Sequence, residues 1–136
     1  MAYDPRQHGA KCDACPLSGS RPVPPEGPSD AEIALVGEGP GMHEVQRSRP
    51  FIGPSGIKLD ELLSSAGLRR SAVWLTNAIL CRADTPGVTG MKRYDIPTYL
   101  AWVRVENKRR KKAKEPALLS PFECCAPRLW EELDRV

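Results

Sequence analysis

No stretch of this 136-residue sequence is long and apolar enough to cross a bilayer, and no apolar signal region follows Met1. Both absences argue against a membrane partner and place the expected site of action in the cytoplasm, where thiols stay reduced. Charge of one sign is also scarce in total, the net value being only +3. No Gly-Lys-Ser/Thr follows the glycine-rich stretch, which excludes a P-loop, and the dinucleotide fingerprint is missing too. There is no internal repeat. Histidine occurs twice, at His8 and His43.

What remains is ordinary enough to fold. A 40% apolar and 27% charged composition gives no case for wholesale disorder, and the length suits one domain over residues 1–136. Fourteen prolines are many, and Pro22, Pro24, Pro25 and Pro28 predict an extended, non-helical connection. The positive charge is concentrated in Lys108, Arg109, Arg110, Lys111, Lys112 and Lys114, so the rest of the chain is slightly acidic. A basic segment of this kind suits a polyanion, with phosphate contacts by Lys108 to Lys112, or else forms a solvated loop.

Along the chain, residues 1–30 read as a polar loop. The run Glu32 to Gly37 reads as a buried strand, bounded by turn residues. A Gly/Pro-rich loop follows. Ser55 is the expected N-cap of a helix carrying Ile57, Leu59, Leu62, Leu63 and Ala66, with Gly67 as its stop. Ala72 to Asn77, continuing to Leu80, reads as a second strand, which makes a βαβ unit with a parallel sheet. From residue 83 to 120 the pattern weakens. Tyr94 to Val105 suggests a short helix interrupted at Pro97, before the basic run. Phe122, Cys125, Leu129, Trp130 and Leu133 then mark a last helix at helical spacing.

Five cysteines in a reduced compartment call for metal ligation, or for buried inert thiols. Cys12-x2-Cys15 alone fits zinc, redox and iron–sulfur sites alike. Together with Cys81 and with Cys124 or Cys125 it supplies four thiolates, enough for a four-iron cluster or an all-cysteine zinc site. Zinc sites more often use two close pairs, so the scattered spacing favours the cluster.

Gly37-Glu38-Gly39-Pro40-Gly41 follows the C-terminal end of the first strand, the edge at which open α/β sheets bind ligands. Its glycines allow close backbone approach, and Glu38 would be held at the crevice, unless the segment is a plain tight turn. Phe51 could stack on a planar ligand or pack in the core. Asn77, at the same sheet edge, can donate and accept at a base edge or cap the turn.

In order, Cys12-x2-Cys15-Pro16-Leu17, Gly37-Glu38-Gly39-Pro40-Gly41-x2-Glu44, Arg49-Pro50-Phe51-Ile52-Gly53-x2-Gly56, Thr76-Asn77 with Cys81-Arg82, and Cys125-x-Pro127-x-Leu129 resemble the family 4 uracil-DNA glycosylases. The resemblance covers nearly the whole chain outside residues 83–119. It implies a three-layer α/β/α fold with a central parallel sheet. It also implies a 4Fe-4S cluster on Cys12, Cys15, Cys81 and Cys125, acting as a structural staple. The substrate it implies is DNA containing uracil, flipped out of the duplex. Phe51 would then stack on the base, Asn77 would read its edge, Gly39 would bring its amide to it, and Glu38 would stabilise the cationic sugar or orient water.

Two departures accompany the likeness. The family's later His-Pro-Ser type segment has no counterpart here, and the last strand and helix of the fold are expected to be missing or supplied by a partner chain. The stretch between Cys81 and Cys125 is also longer than in the family. A covalent uracil-binding relative has a Lys-Arg-Arg loop ending in a reactive histidine. Here Lys108-Arg109-Arg110 is followed by Lys111, which gives that mechanism no support. A non-catalytic relative that binds DNA or uracil and keeps the cluster is the alternative reading. A four-cysteine zinc module is the third.

Overall fold

The computed structural model describes residues 2–136. Its centre is a two-stranded parallel sheet, β1 (Ala34–Gly37) and β2 (Trp74–Asn77), with Ala34 opposite Trp74 and Gly37 opposite Asn77. The pairing runs on past the strands, since Ala78 N–H donates to Gly37 and Ile79 N–H to Glu38. On its other side β2 is bordered by the proline-rich segment. Glu26 and Leu75 exchange both backbone hydrogen bonds in antiparallel sense, and Val23 N–H donates to Leu80. β2 is therefore the central strand, and Leu75, Thr76 and Asn77 are buried.

Four helices surround this ribbon: α1 (Met42–Arg47), α2 (Pro54–Ser65), α3 (Ile96–Ala113) and α4 (Pro121–Leu133). Among the described residues, no helix is long and apolar enough to cross a membrane. One core cluster, Leu63, Val73 and Leu75, lies between α2 and β2. The other, Leu17, Ile79, Ala83, Tyr99 and Val103, binds the N-terminal segment and α3 to the end of β2.

The β1–α2–β2 unit follows the expected course, with differences at its edges. β1 is not buried: Val36 is 44% exposed, because β1 has a strand neighbour on one side only. α2 starts one residue before Ser55, with Gly53 as N-cap and Pro54 in the first turn, where its missing N–H is no loss. Gly67 follows α2 with φ +75°, the left-handed stop foreseen for it.

The stretch after Ala83 differs more. α3 is one uninterrupted 18-residue helix that includes the basic run from Lys108 to Lys112, with Lys114 as its C-terminal cap. Pro97 begins it rather than breaking it, and Asp95 caps it by accepting from Thr98 N–H at 3.0 Å and Thr98 Oγ1–H at 2.6 Å. Two effects let a block of like charge stay helical. The cations lie in the last turns, at the negative end of the helix dipole. Glu106 also pairs with Arg109 at 2.7 Å and with Arg110 at 3.1 Å, one turn away.

α4 occupies the expected place but turns a different face inward. Its buried residues are Pro121, Cys124, Cys125, Arg128 and Glu132, while Trp130 is 63% exposed. The inward stripe therefore carries thiols and an ion pair, which apolar periodicity could not reveal.

Candidate functional site

Glu38 leaves the C-terminal end of β1 with its carboxylate exposed and, among the described residues, without a hydrogen-bond or ion-pair partner. Glu38 and Gly39 line an open cleft of about 520 Å³. One wall is the glycine loop with His43 and Glu44 of α1. The other is Arg82, Tyr94, Asp95 and Ile96, from the stretch leading into α3. The Arg82 guanidinium lies 3.4 Å from the centre of the Tyr94 ring, which fixes that wall by a cation–π contact.

Glu44 joins the two loops that frame the cleft. Its carboxylate accepts from Gly41 N–H at 2.9 Å, and from Ile52 and Gly53 N–H at 3.0 and 2.5 Å. Behind it, Phe51 sits in the left-handed region at φ +53°, an uncommon state for a bulky residue. Arg70 holds it there, donating to the Phe51 carbonyl at 2.7 Å and to the Pro50 carbonyl at 2.5 Å. A side chain at Gly56 would place its Cβ 2.0 Å from that same Phe51 carbonyl oxygen. Gly56→Ala is thus expected to destabilise the fold by about 2–3 kcal/mol, read as a lower urea midpoint.

Glu26 anchors the outer side of this loop, accepting from Arg49 at 2.8 Å and 3.1 Å and from Arg70 at 3.4 Å. The Arg49 hydrogen bond, opposed by partial burial, holds the Glu26 carboxyl below the ordinary glutamate range. The ion pair therefore stabilises the fold above the usual glutamate pKa of about 4.3, and that contribution is lost as pH falls through the lowered folded value. Glu26→Gln is expected to cost about 1 kcal/mol or less at pH 7, screening included, with the difference from wild type fading as pH falls through the lowered folded value. Denaturation midpoints across that range check it.

Phe51 and Asn77 do not line the cleft. Both close upon Gly37, where an added Cβ would lie 2.3 Å from Asn77 Oδ1 and 2.7 Å from Phe51 Cζ. The Phe51 ring packs against the core cluster of Leu63, Val73 and Leu75. The structure thus brings Glu38 and Gly39 together at the cleft, and sets Phe51 and Asn77 directly behind them.

The cysteines gather on the far side of β2. Lys11 N–H donates to the Cys124 carbonyl at 2.8 Å, laying the N-terminal segment on α4. All five cysteines are free, and Cys15 and Cys124 are neighbours. Burial, then neighbouring thiols, pushes Cys81 and Cys124 up to about 12, and burial raises Cys12 and Cys15 as well. Cys125 is the neighbouring thiol that acts most strongly on both Cys12 and Cys81. Among the described residues, no three His, Cys, Asp or Glu side chains converge on a single metal ion.

α4 is fastened beside these thiols by Arg128. It donates to Thr76 Oγ1 at 3.0 Å, to the Asn77 carbonyl at 2.7 Å and to the Ala78 carbonyl at 3.2 Å, and pairs with Glu132 at 2.7 Å. Glu132 also accepts from Tyr3 at 3.3 Å and Trp74 at 3.2 Å. Sequence reasoning missed this anchor, although a basic and an acidic residue four apart in a helix were its visible signal. It missed the Tyr94–Ile96 wall for want of any motif.

An α/β ribbon with a glycine-rich loop and a carboxylate at its strand end is a ligand-binding arrangement, and comparison with known families gives it a place. A model of the uracil DNA glycosylase superfamily matches residues 24–136, and the chain belongs to that superfamily. It is similar to the type-4 uracil-DNA glycosylase of Thermotoga maritima, 47% identical over 74 residues, which are 53% of this chain and 38% of that protein. The type-4 uracil-DNA glycosylases of Pyrobaculum aerophilum and Archaeoglobus fulgidus are 45% and 44% identical over 73 residues, 52% of this chain and 37% of each relative. The aligned stretch thus spans less than two fifths of these relatives' length.

Proposed function

We propose that this chain acts in DNA repair as a glycosylase that hydrolyses the N-glycosidic bond of uracil in DNA, the base being flipped into the cleft beside Glu38. The observation that carries the reading is the unpartnered Glu38 carboxylate at the strand end, above the cleft and next to Gly39. Bond cleavage leaves positive charge on the sugar and negative charge on the base. Glu38 would face the sugar and hold either the cation or the attacking water. The Gly39 amide would meet the base oxygen, Asn77 would read the base edge, and Phe51 would stack on the ring. Of the basic run, Lys108, Lys111 and Lys112 would face phosphates.

The cysteines fit a 4Fe-4S cluster held by Cys12, Cys15, Cys81 and Cys125. The donor set is all thiol, Cys15 and Cys81 pack against the same core cluster, and all are free. Zinc sites more often use two close pairs, so the scattered spacing of these four cysteines supports the cluster reading. Bound there, the cluster would cross-link the N-terminal segment, the end of β2 and α4. The raised thiols must lose protons to ligate, so its assembly would be favoured by rising pH.

The second reading is a relative that binds DNA without cleaving uracil, and one observation favours it: Phe51 and Asn77, which would hold the base, lie behind the cleft rather than in it. The deciding experiment is anaerobic purification, visible absorption and iron content, then incubation with a uracil-containing oligonucleotide and assay for abasic sites. A brown protein with about four irons that forms abasic sites bears the proposal out. A brown protein that leaves uracil in place establishes the second reading, and a colourless zinc protein removes the cluster.

A further inference from the structure

The basic run does not present one uniform surface. At 3.6 residues per turn, Pro97, Leu100, Arg104, Lys108 and Lys111 fall within roughly an 80° arc of α3. Arg109 and Arg110 point elsewhere and are engaged. Arg109 pairs with Glu106 at 2.7 Å and Glu115 at 3.0 Å, and Arg110 with Glu106 at 3.1 Å and the Pro116 carbonyl at 3.1 Å. Arg104, Lys108 and Lys111 are exposed, and none has an ion-pair partner among the described residues.

The stripe also begins at the candidate site. Arg104 shares a shallow depression of about 370 Å³ with Glu38, Pro97, Leu100 and Phe122. Glu38 thus stands on the ridge between that depression and the main cleft. From Arg104 to Lys111 the helix advances about 10 Å, which at about 3.4 Å of duplex axis per phosphate of one strand matches about three phosphates.

We propose that Arg104, Lys108 and Lys111 form a phosphate rail that grips the DNA strand running from the cleft along α3, whereas Arg109 and Arg110 serve the helix itself. The direction of the strand rests on the proposed seat of the base beside Glu38. The grip on phosphate stands on the stripe's charge and exposure.

The test is binding of a uracil-free single-stranded oligonucleotide, followed by fluorescence anisotropy between 50 and 200 mM salt (roughly the range over which counterion release is read). The triple variant R104Q/K108Q/K111Q is expected to bind at least tenfold more weakly at the low-salt end. Its log–log salt slope should be shallower by about two, at roughly 0.7 per phosphate on a single strand. R109Q, and the charge-matched control R21Q/K58Q/R69Q, should stay within about twofold of wild type. R104K/K108R/K111R, keeping the charges, should retain binding, and circular dichroism confirms the helix in each. A triple variant with unchanged slope, or an equal loss in R109Q or the control, overturns the rail. Because the probe contains no uracil, a chain that fails to form abasic sites leaves this measurement valid.

Discussion

Arg128→Met is expected to remove about 3–5 kcal/mol of folding stability, with a fall in the thermal midpoint of more than 10 °C. The side chain is fully buried, as is that of Glu132. Removing the cation strands a buried carboxylate, with only Tyr3 and Trp74 left as hydrogen-bond donors. It also leaves Thr76 Oγ1 and the Asn77 and Ala78 carbonyls without the donor that ties α4 to the end of β2. The Nε of Arg128 already lacks a partner, so the native arrangement is held by its two terminal nitrogens. R128M/E132L should recover part of the loss, because the isolated charge rather than the missing pair is the larger penalty. Urea unfolding of the two variants beside wild type measures both numbers. A loss near 1 kcal/mol in R128M would show the anchor to be weaker than its geometry.

Glu38→Gln is expected to slow uracil release by about 10²–10³-fold in single-turnover assays, with binding of uracil-free DNA unchanged. The substitution keeps the size of the side chain and removes only the charge that would face the cationic sugar. Glu38 has no structural partner among the described residues, so the change should leave the urea midpoint where it is. That separation is the useful part of the experiment. Gly56→Ala and Arg128→Met lower activity through stability, whereas Glu38→Gln should act on the chemical step alone. An unchanged rate would take Glu38 out of the reaction.

The β1–α2–β2 unit was legible because its signals are local: an apolar run, a helical stripe ended by Gly67, then a second apolar run. The extended proline-rich segment was legible for the same reason, since proline restricts its own backbone. Burial was harder to read. Val36 looks like core in a one-dimensional pattern, yet a strand's burial depends on neighbours that the pattern does not name. α4 illustrates the opposite error. Phe122, Cys125, Leu129, Trp130 and Leu133 advertised an apolar face, and Cys125 is indeed buried, but the inward stripe also holds Cys124, Arg128 and Glu132, and Trp130 is exposed. α3 was obscured by Pro97, which breaks a helix in its middle and begins one in its first turn. At the candidate site, the glycine loop and its carboxylate were visible as a motif. Tyr94 and Asp95 reach the same cleft from 55 residues or so down the chain, and no spacing rule connects them.

The gathering of the thiols also imposes an order of events. Cys12 and Cys15 are made first, and their neighbour Cys124 follows only 112 residues later. At about 5–20 residues per second, the early pair waits roughly ten seconds for its companions. The contacts that bring them together, Lys11 to Cys124 and Tyr3 to Glu132, are long-range, so the N-terminal segment can complete its packing only once α4 has been made. During that interval two accessible thiols face any oxidant or metal ion in the surroundings. The four proposed ligands, Cys12, Cys15, Cys81 and Cys125, would therefore come together only once Cys125 has been made, and the redox state of the surroundings until then would bear on whether a cluster loads.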